Sequence, residues 1–172
     1  MYALTAVIAD EAMLRRRAAE WQHAAVVALR EGLGLLPVPG ELFMEMSGVR
    51  REPLEDGPSA DSPFLHPLGP PLEALLTAWS EERPVAYVEA EFFGGDGHPS
   101  AAVWSGGARA WGPVFDDTFD GLRAGWPLNG ALARLGVRSN DGAHDLFDAV
   151  GLGDERGTDG WLARAQARTR TS

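Results

Sequence analysis

The stretch from Val85 to Phe115 constrains the fold most. In "VAYVEAEFF", residues 85–93, Ala86, Val88, Ala90 and Phe92 share one face of a strand. Tyr87, Glu89, Glu91 and Phe93 share the other. Two more strand patterns follow at 100–105 and 109–115, with "SGG" at 105–107 as a tight turn between them. Three strands in close succession can pair only as an antiparallel meander, because parallel pairing needs a long crossover. A sheet of this kind needs further strands and a covering layer, so the rest of the chain must supply both.

The start of the chain supplies one. In Tyr2–Ala9, Leu4, Ala6 and Ile8 alternate with Ala3, Thr5 and Val7, and both faces are mostly apolar. That pattern suits a central strand. Asp10 is placed to cap a helix. Leu14, Ala18, Trp21, Ala25, Ala28 and Leu29 then recur at helical spacing, and "GLG" at 32–34 ends the run. On this reading His23 is a half-exposed helix residue. Leu42, Met44 and Met46 alternate with Phe43 and Glu45 and read as a strand. Residues 50–70 hold five prolines and two glycines with no periodicity. They read as a long, partly mobile surface loop.

Pro70 and Pro71 suit a helix start. Leu72, Leu75, Leu76 and Trp79 then make an amphipathic helix to about Glu82, before Pro84. Short helices follow around Leu128–Leu135, Leu146–Val150 and Trp161–Leu162, the last with Thr158 as its cap. The expected fold is α+β: a mostly antiparallel sheet of four to six strands, helices packed on one face, and short C-terminal helices. Residues 1–165 read as a single domain, with 50–70 as its proline-rich surface loop and 166–172 as a flexible tail.

Charge narrows the partners. The net charge is −10, and it is uneven. Residues 41–120 hold fifteen acids against four arginines, a balance of −11, and the remainder carries +1. Such a field repels nucleic acid and anionic membrane and attracts basic proteins or cations. There is no cysteine, which excludes disulfides and thiolate metal sites. No apolar run has the length of a membrane span, and "MYALTAVIAD" lacks the basic leader of a secretory signal. A cytoplasmic protein is expected. Lysine is absent, and with so much alanine, glycine and proline this points to a GC-rich bacterial genome rather than to a need for arginine chemistry.

Signals for catalysis are weak. Gly95-x-Gly97 in "GGDGH" has the spacing of part of a phosphate loop. A proline and a strand follow it, where a dinucleotide site requires a helix, and no lysine exists to serve a Walker motif. A hairpin bend is the simpler account. No serine lies in G-x-S-x-G, the four histidines form no close pair, and "HDLFD" at 144–148 lacks the second histidine of a zincin. No catalytic residue, metal ligand or cofactor is assigned.

Glu89 and Glu91 lie about 7 Å apart on one strand face. With Asp96 and His98 they could serve a divalent ion or acid–base chemistry. With Tyr87 and Phe93 they equally describe a mixed, protein-binding surface. Asp116, Asp117 and Asp120 in "FDDTFD" lack the calcium-loop pattern and read as turn residues or as the acidic rim of such a surface. The candidate binding set is therefore Tyr87, Glu89, Glu91, Phe93, Asp96, His98, Asp116, Asp117 and Asp120.

The order "YVEAEFFGGDG…AAVW", "PLNGALARLGV" and "FDAVGLGDERGTDGW" resembles a pattern in small, functionally uncharacterised bacterial proteins. The matching residues are Tyr87, Glu89, Phe93, Gly94, Gly95, Trp104, Asn129, Leu132, Gly136, Gly151, Gly153, Arg156 and Trp161, across the second half of the chain. Small acidic proteins of this kind resemble the immunity proteins of bacterial toxin systems. The resemblance implies a protein-binding inhibitor that meets a basic toxin partner. The alternative is a small metal-dependent or acid–base enzyme built on Glu89, Glu91, Asp96 and His98.

Overall fold

β1 (Tyr2–Asp10) pairs on both sides: with β3 (Leu33–Pro37) through Ala6–Asp10, and with β4 (Val85–Phe93) through Tyr2–Ala9. Its two apolar faces require this central place. β2 (Val27–Ala28) flanks β3, and β6 (Ser100–Ser105) and β7 (Ala108–Phe115) continue the sheet beyond β4. The order is β2-β3-β1-β4-β6-β7, every pairing antiparallel, with the two-residue β5 (Asp96–Gly97) on β4 as a further strand. The computed structural model describes residues 1–93, 96–116, 125–138 and 142–171, and only the backbone of Phe93 and Asp96.

The α+β class, the antiparallel sheet and the short C-terminal helices agree with the reading of the sequence. Helices cover both faces of the sheet rather than one. Against the first face, Leu4, Ala6, Ile8, Val88 and Val103 pack on α4 (Pro127–Arg134), α5 (Leu146–Val150) and α6 (Thr158–Thr169). Against the second, Val7, Tyr87, Ala102 and Trp104 pack on α1 (Glu11–Ala18), α2 (Gly40–Ser47) and α3 (Pro70–Trp79). Central strands apolar on both sides leave no face for solvent, so two helical layers are needed.

Three local assignments differ. Residues 42–46, read as a strand, are helical in α2: Leu42, Phe43, Met46 and Ser47 form its buried side, a helical spacing. Pro39 precedes it, and Gly48 ends it with φ 78° and an N–H donated to the Met44 carbonyl. The helix expected through Leu29 stops at Ala18, and Val27–Pro37 instead form the β2–β3 hairpin beside β1. Burial of Val27, Leu33, Leu35 and Leu36 against the sheet outweighs helical periodicity there. Residues 50–69 are irregular as expected, but they are docked on the sheet, with Pro63, Phe64 and Leu68 buried.

Near its N-terminus β1 outruns β3, and the chain fills that edge with residues 156–158. Ala3 N–H donates to the Arg156 carbonyl (2.9 Å), Thr5 N–H to Thr158 Oγ1 (2.9 Å), and Ala3 bridges Gly157. Thr158, expected as a helix cap, accepts this bond while Gly157 holds the cap position. The helix itself continues to Thr169, through four residues read as tail. A Cβ on Gly157 would lie 2.7 Å from the Ala3 carbonyl oxygen. Gly157→Ala is therefore expected to cost about 1–3 kcal/mol by forcing the two backbones apart, measured by chemical denaturation.

Candidate functional site

The expected site splits into buried, exposed and undescribed parts. Tyr87 is fully buried and Glu89 is 1% exposed, so neither belongs to an open sheet surface. The residue-50–69 segment closes over that face and removes it from solvent. Glu91 and Asp116 are half-buried, and His98 is exposed with its N–H donated to the Glu91 carbonyl (3.0 Å). The side chains of Phe93 and Asp96, and all of Asp117 and Asp120, lie outside the described residues. So do Gly94 and Gly95 of the glycine bend; beside them Phe92 pairs with Gly97 and Phe93 with Asp96.

Glu89 has a different role from the one its alternation suggested. Cross-strand pairing sets it beside Thr5 and Ser100, and the three make a buried polar row within the second core face. Its carboxylate accepts from Leu65 N–H (2.7 Å), His66 N–H (3.3 Å) and His66 Nδ1 (2.8 Å). Facing a carboxylate acceptor, Nδ1 carries the ring hydrogen. Ser100 adds a bond from its hydroxyl to the Pro63 carbonyl (2.5 Å). A buried carboxylate is tolerated only when its oxygens are matched by donors. Here an irregular loop supplies them, and in return the loop is fixed.

Tyr87 lies one pair along the strand. Its ring meets Phe64 edge-on, with centroids 5.3 Å apart. Its hydroxyl is buried without a partner. Burial foremost, and then the Glu89 charge, push its phenol well above the ordinary range, so it stays protonated.

Glu45 repeats the clasp elsewhere. It accepts from Gln22 N–H (2.9 Å), His23 N–H (2.8 Å) and the His23 ring, and so ties the turn after α1 to α2. His23 is thus a turn residue, not a helical one. Partial burial works against the charged carboxyl, but the donors of His23 and Gln22 together hold it below its usual value. Both clasps join a glutamate on a regular element to consecutive N–H groups ending in histidine.

Beside the docked loop, α3 and β6–β7 enclose a cavity of about 220 Å³ lined by Asp61, Phe64, Leu68, Glu73, Trp104 and Arg109, among others. Arg109 pairs with Glu73 and lies over the Trp104 ring at 5.8 Å. This volume suits one side chain more than a drug-sized ligand. Arg109 is itself the cation that the Trp104 ring and the Glu73 carboxylate hold. From the loop above it, Glu52, Glu55, Asp56 and Asp61 face solvent. Among the described residues, no group of three or more His, Asp or Glu is placed to hold a metal ion, and no helix is long and apolar enough to cross a membrane.

No family model matches the chain, and neither a curated protein nor a solved structure matches it.

The pairings in the two clasps are not legible in the sequence, because the partners are distant along the chain. The available signal was Phe64 and Leu68, two large apolar residues inside a proline-rich loop, which need a surface to bury against. Glu89→Ala, which leaves three donors facing a void, is expected to cost about 2–4 kcal/mol and to speed amide exchange at Leu65 and His66. Global unfolding curves and residue-resolved hydrogen exchange measure the two effects. For Glu45 the lowered folded value means its stabilisation is present above the unfolded carboxyl value and lost as pH falls through the folded one. Thermal melts across a pH series should show Glu45→Gln less stable than wild type at neutral pH, with the gap closing in acid.

Proposed function

We propose that the chain is a protein-binding module that recognises a basic partner through its acidic loop, in the manner of an immunity-type inhibitor of a basic toxin. The observation that carries the reading is the loop itself. Four exposed acids, Glu52, Glu55, Asp56 and Asp61, stand on a segment pinned to the sheet.

Pinning matters for affinity, because a loop ordered before binding loses less entropy when a partner arrives. The Leu54 N–H bond to the Leu65 carbonyl (2.8 Å) and the Glu89 clasp hold both sides of the acidic segment. Long-range attraction from the four exposed acids speeds encounter with a basic partner. Compared with the expectation from sequence, the contact surface moves from Glu89 and Glu91 to the loop that covers Glu89.

An acid–base or metal-dependent reaction at Glu89, Glu91, Asp96 and His98 has less support. Glu89 is buried and its oxygens are taken by the loop.

The test is affinity capture from native lysate of the source cells, using the wild type and a variant with Glu52, Glu55, Asp56 and Asp61 changed to arginine. One basic, stoichiometric partner is expected with the wild type, weakened by added salt and lost with the variant. Equal capture by the two proteins, or no basic partner with either, removes the proposal.

A further inference from the structure

On the opposite face of the sheet, the β2–β3 turn, the end of α5 and one side of α6 meet around a cavity of about 290 Å³. Trp161, Arg164 and Arg168 line it from α6 at helical spacing, and Arg30 lines it from the turn. In a chain of net charge −10, three arginines at one cavity are a local reversal of sign.

Arg30, Arg164 and the Trp161 indole make few close contacts. Trp161 is 1% exposed, and its indole N–H has no hydrogen-bond partner. A buried indole N–H ordinarily finds an acceptor. Arg164 lies over the Trp161 ring at 5.4 Å and approaches Asp154 at 3.7 Å and Glu155 at 3.8 Å. Arg30 approaches the same Asp154 oxygen at 3.8 Å and donates one bond to the Asp148 carbonyl (3.3 Å). Charge-assisted hydrogen bonds are about 2.7–2.9 Å, so Asp154 sits between two guanidiniums without satisfying either. Gly151 keeps this arrangement close: with φ 84°, a Cβ there would stand 3.2 Å from Asp154 Oδ2 and 3.5 Å from Arg30 Cζ.

We propose that this cavity binds a small phosphate-class oxyanion through Arg30, Arg164 and Arg168, beside the Trp161 ring. A ligand that only accepts hydrogen bonds matches a wall that carries three guanidiniums, and guanidinium pairs with phosphate oxygens bidentately. The volume is ample for a phosphate group. A neighbouring cleft of about 420 Å³, which shares Arg30, Gly151 and Asp154, has room for an organic remainder. The anion displaces Asp154 as counter-ion to the two guanidiniums. This site lies apart from the acidic loop and stands independently of any protein partner.

The test titrates the full chain with inorganic phosphate and, separately, with a five-carbon sugar phosphate, following the indole N–H resonances by heteronuclear NMR. Trp161→Phe assigns the Trp161 signal. A saturable shift of that signal is expected, with about tenfold weaker binding in Arg164→Gln and in Arg30→Gln. Tighter binding of the sugar phosphate assigns the neighbouring cleft to an organic remainder, and equal binding assigns the site to the free anion. An unmoved Trp161 signal in the wild type with both probes overturns the proposal, as does undiminished affinity in both folded arginine variants. Because the wild-type signal is read directly, a variant that fails to fold does not remove the test.

Discussion

The Glu89 carboxylate, buried in the middle of the sheet, governs the second face of the molecule. It sits on β4 between Thr5 and Ser100, and its oxygens take the N–H groups of Leu65 and His66 and the His66 ring. Without those donors the carboxylate would carry an uncompensated desolvation cost. Without the carboxylate the irregular segment would keep the burial of Pro63, Phe64 and Leu68 and the Ser100 and Arg51 hydrogen bonds, but lose three of its bonds to the sheet. Each side makes the other tolerable. The acidic outer part of the segment, the Phe64–Tyr87 contact and the cavity beside Trp104 all follow from that attachment.

The Glu45 clasp shows the same device at a more exposed position. There too, consecutive N–H groups and a histidine ring converge on one glutamate and secure a turn that lacks regular structure. Regular elements satisfy their own backbone groups, but irregular segments must find acceptors elsewhere. A glutamate projecting from a helix or strand provides two oxygens at a fixed place. In this chain that economy lets long irregular connections hold definite positions without disulfides, since cysteine is absent.

Charge is segregated between the faces. The middle of the chain supplies exposed acids on the second face, at Glu52, Glu55, Asp56 and Asp61. The C-terminal part and the β2–β3 turn gather arginines around Trp161 on the first. The acidic segment was visible as a run of composition. The arginine cluster was not, because Arg30 is more than one hundred residues from Arg164 and Arg168 and its acidic neighbours hide the local sign.

Local periodicity determined much of the architecture. β1, β4, β6, the start of α3 and the short C-terminal helices were legible, because alternation or helical spacing there agrees with final burial. Tertiary packing decided the rest. At 42–46 alternation and helical spacing share the same apolar residues, and packing against the second face selected the helix. At 27–37 the unpaired edge of β1 recruited the chain as strands. At Glu89, alternation placed the side chain on a face but could not tell which segment would cover it. The reason is physical: periodicity is a property of neighbours along the chain, whereas the burial of Glu89 depends on Leu65 and His66, brought to it only by the folded loop.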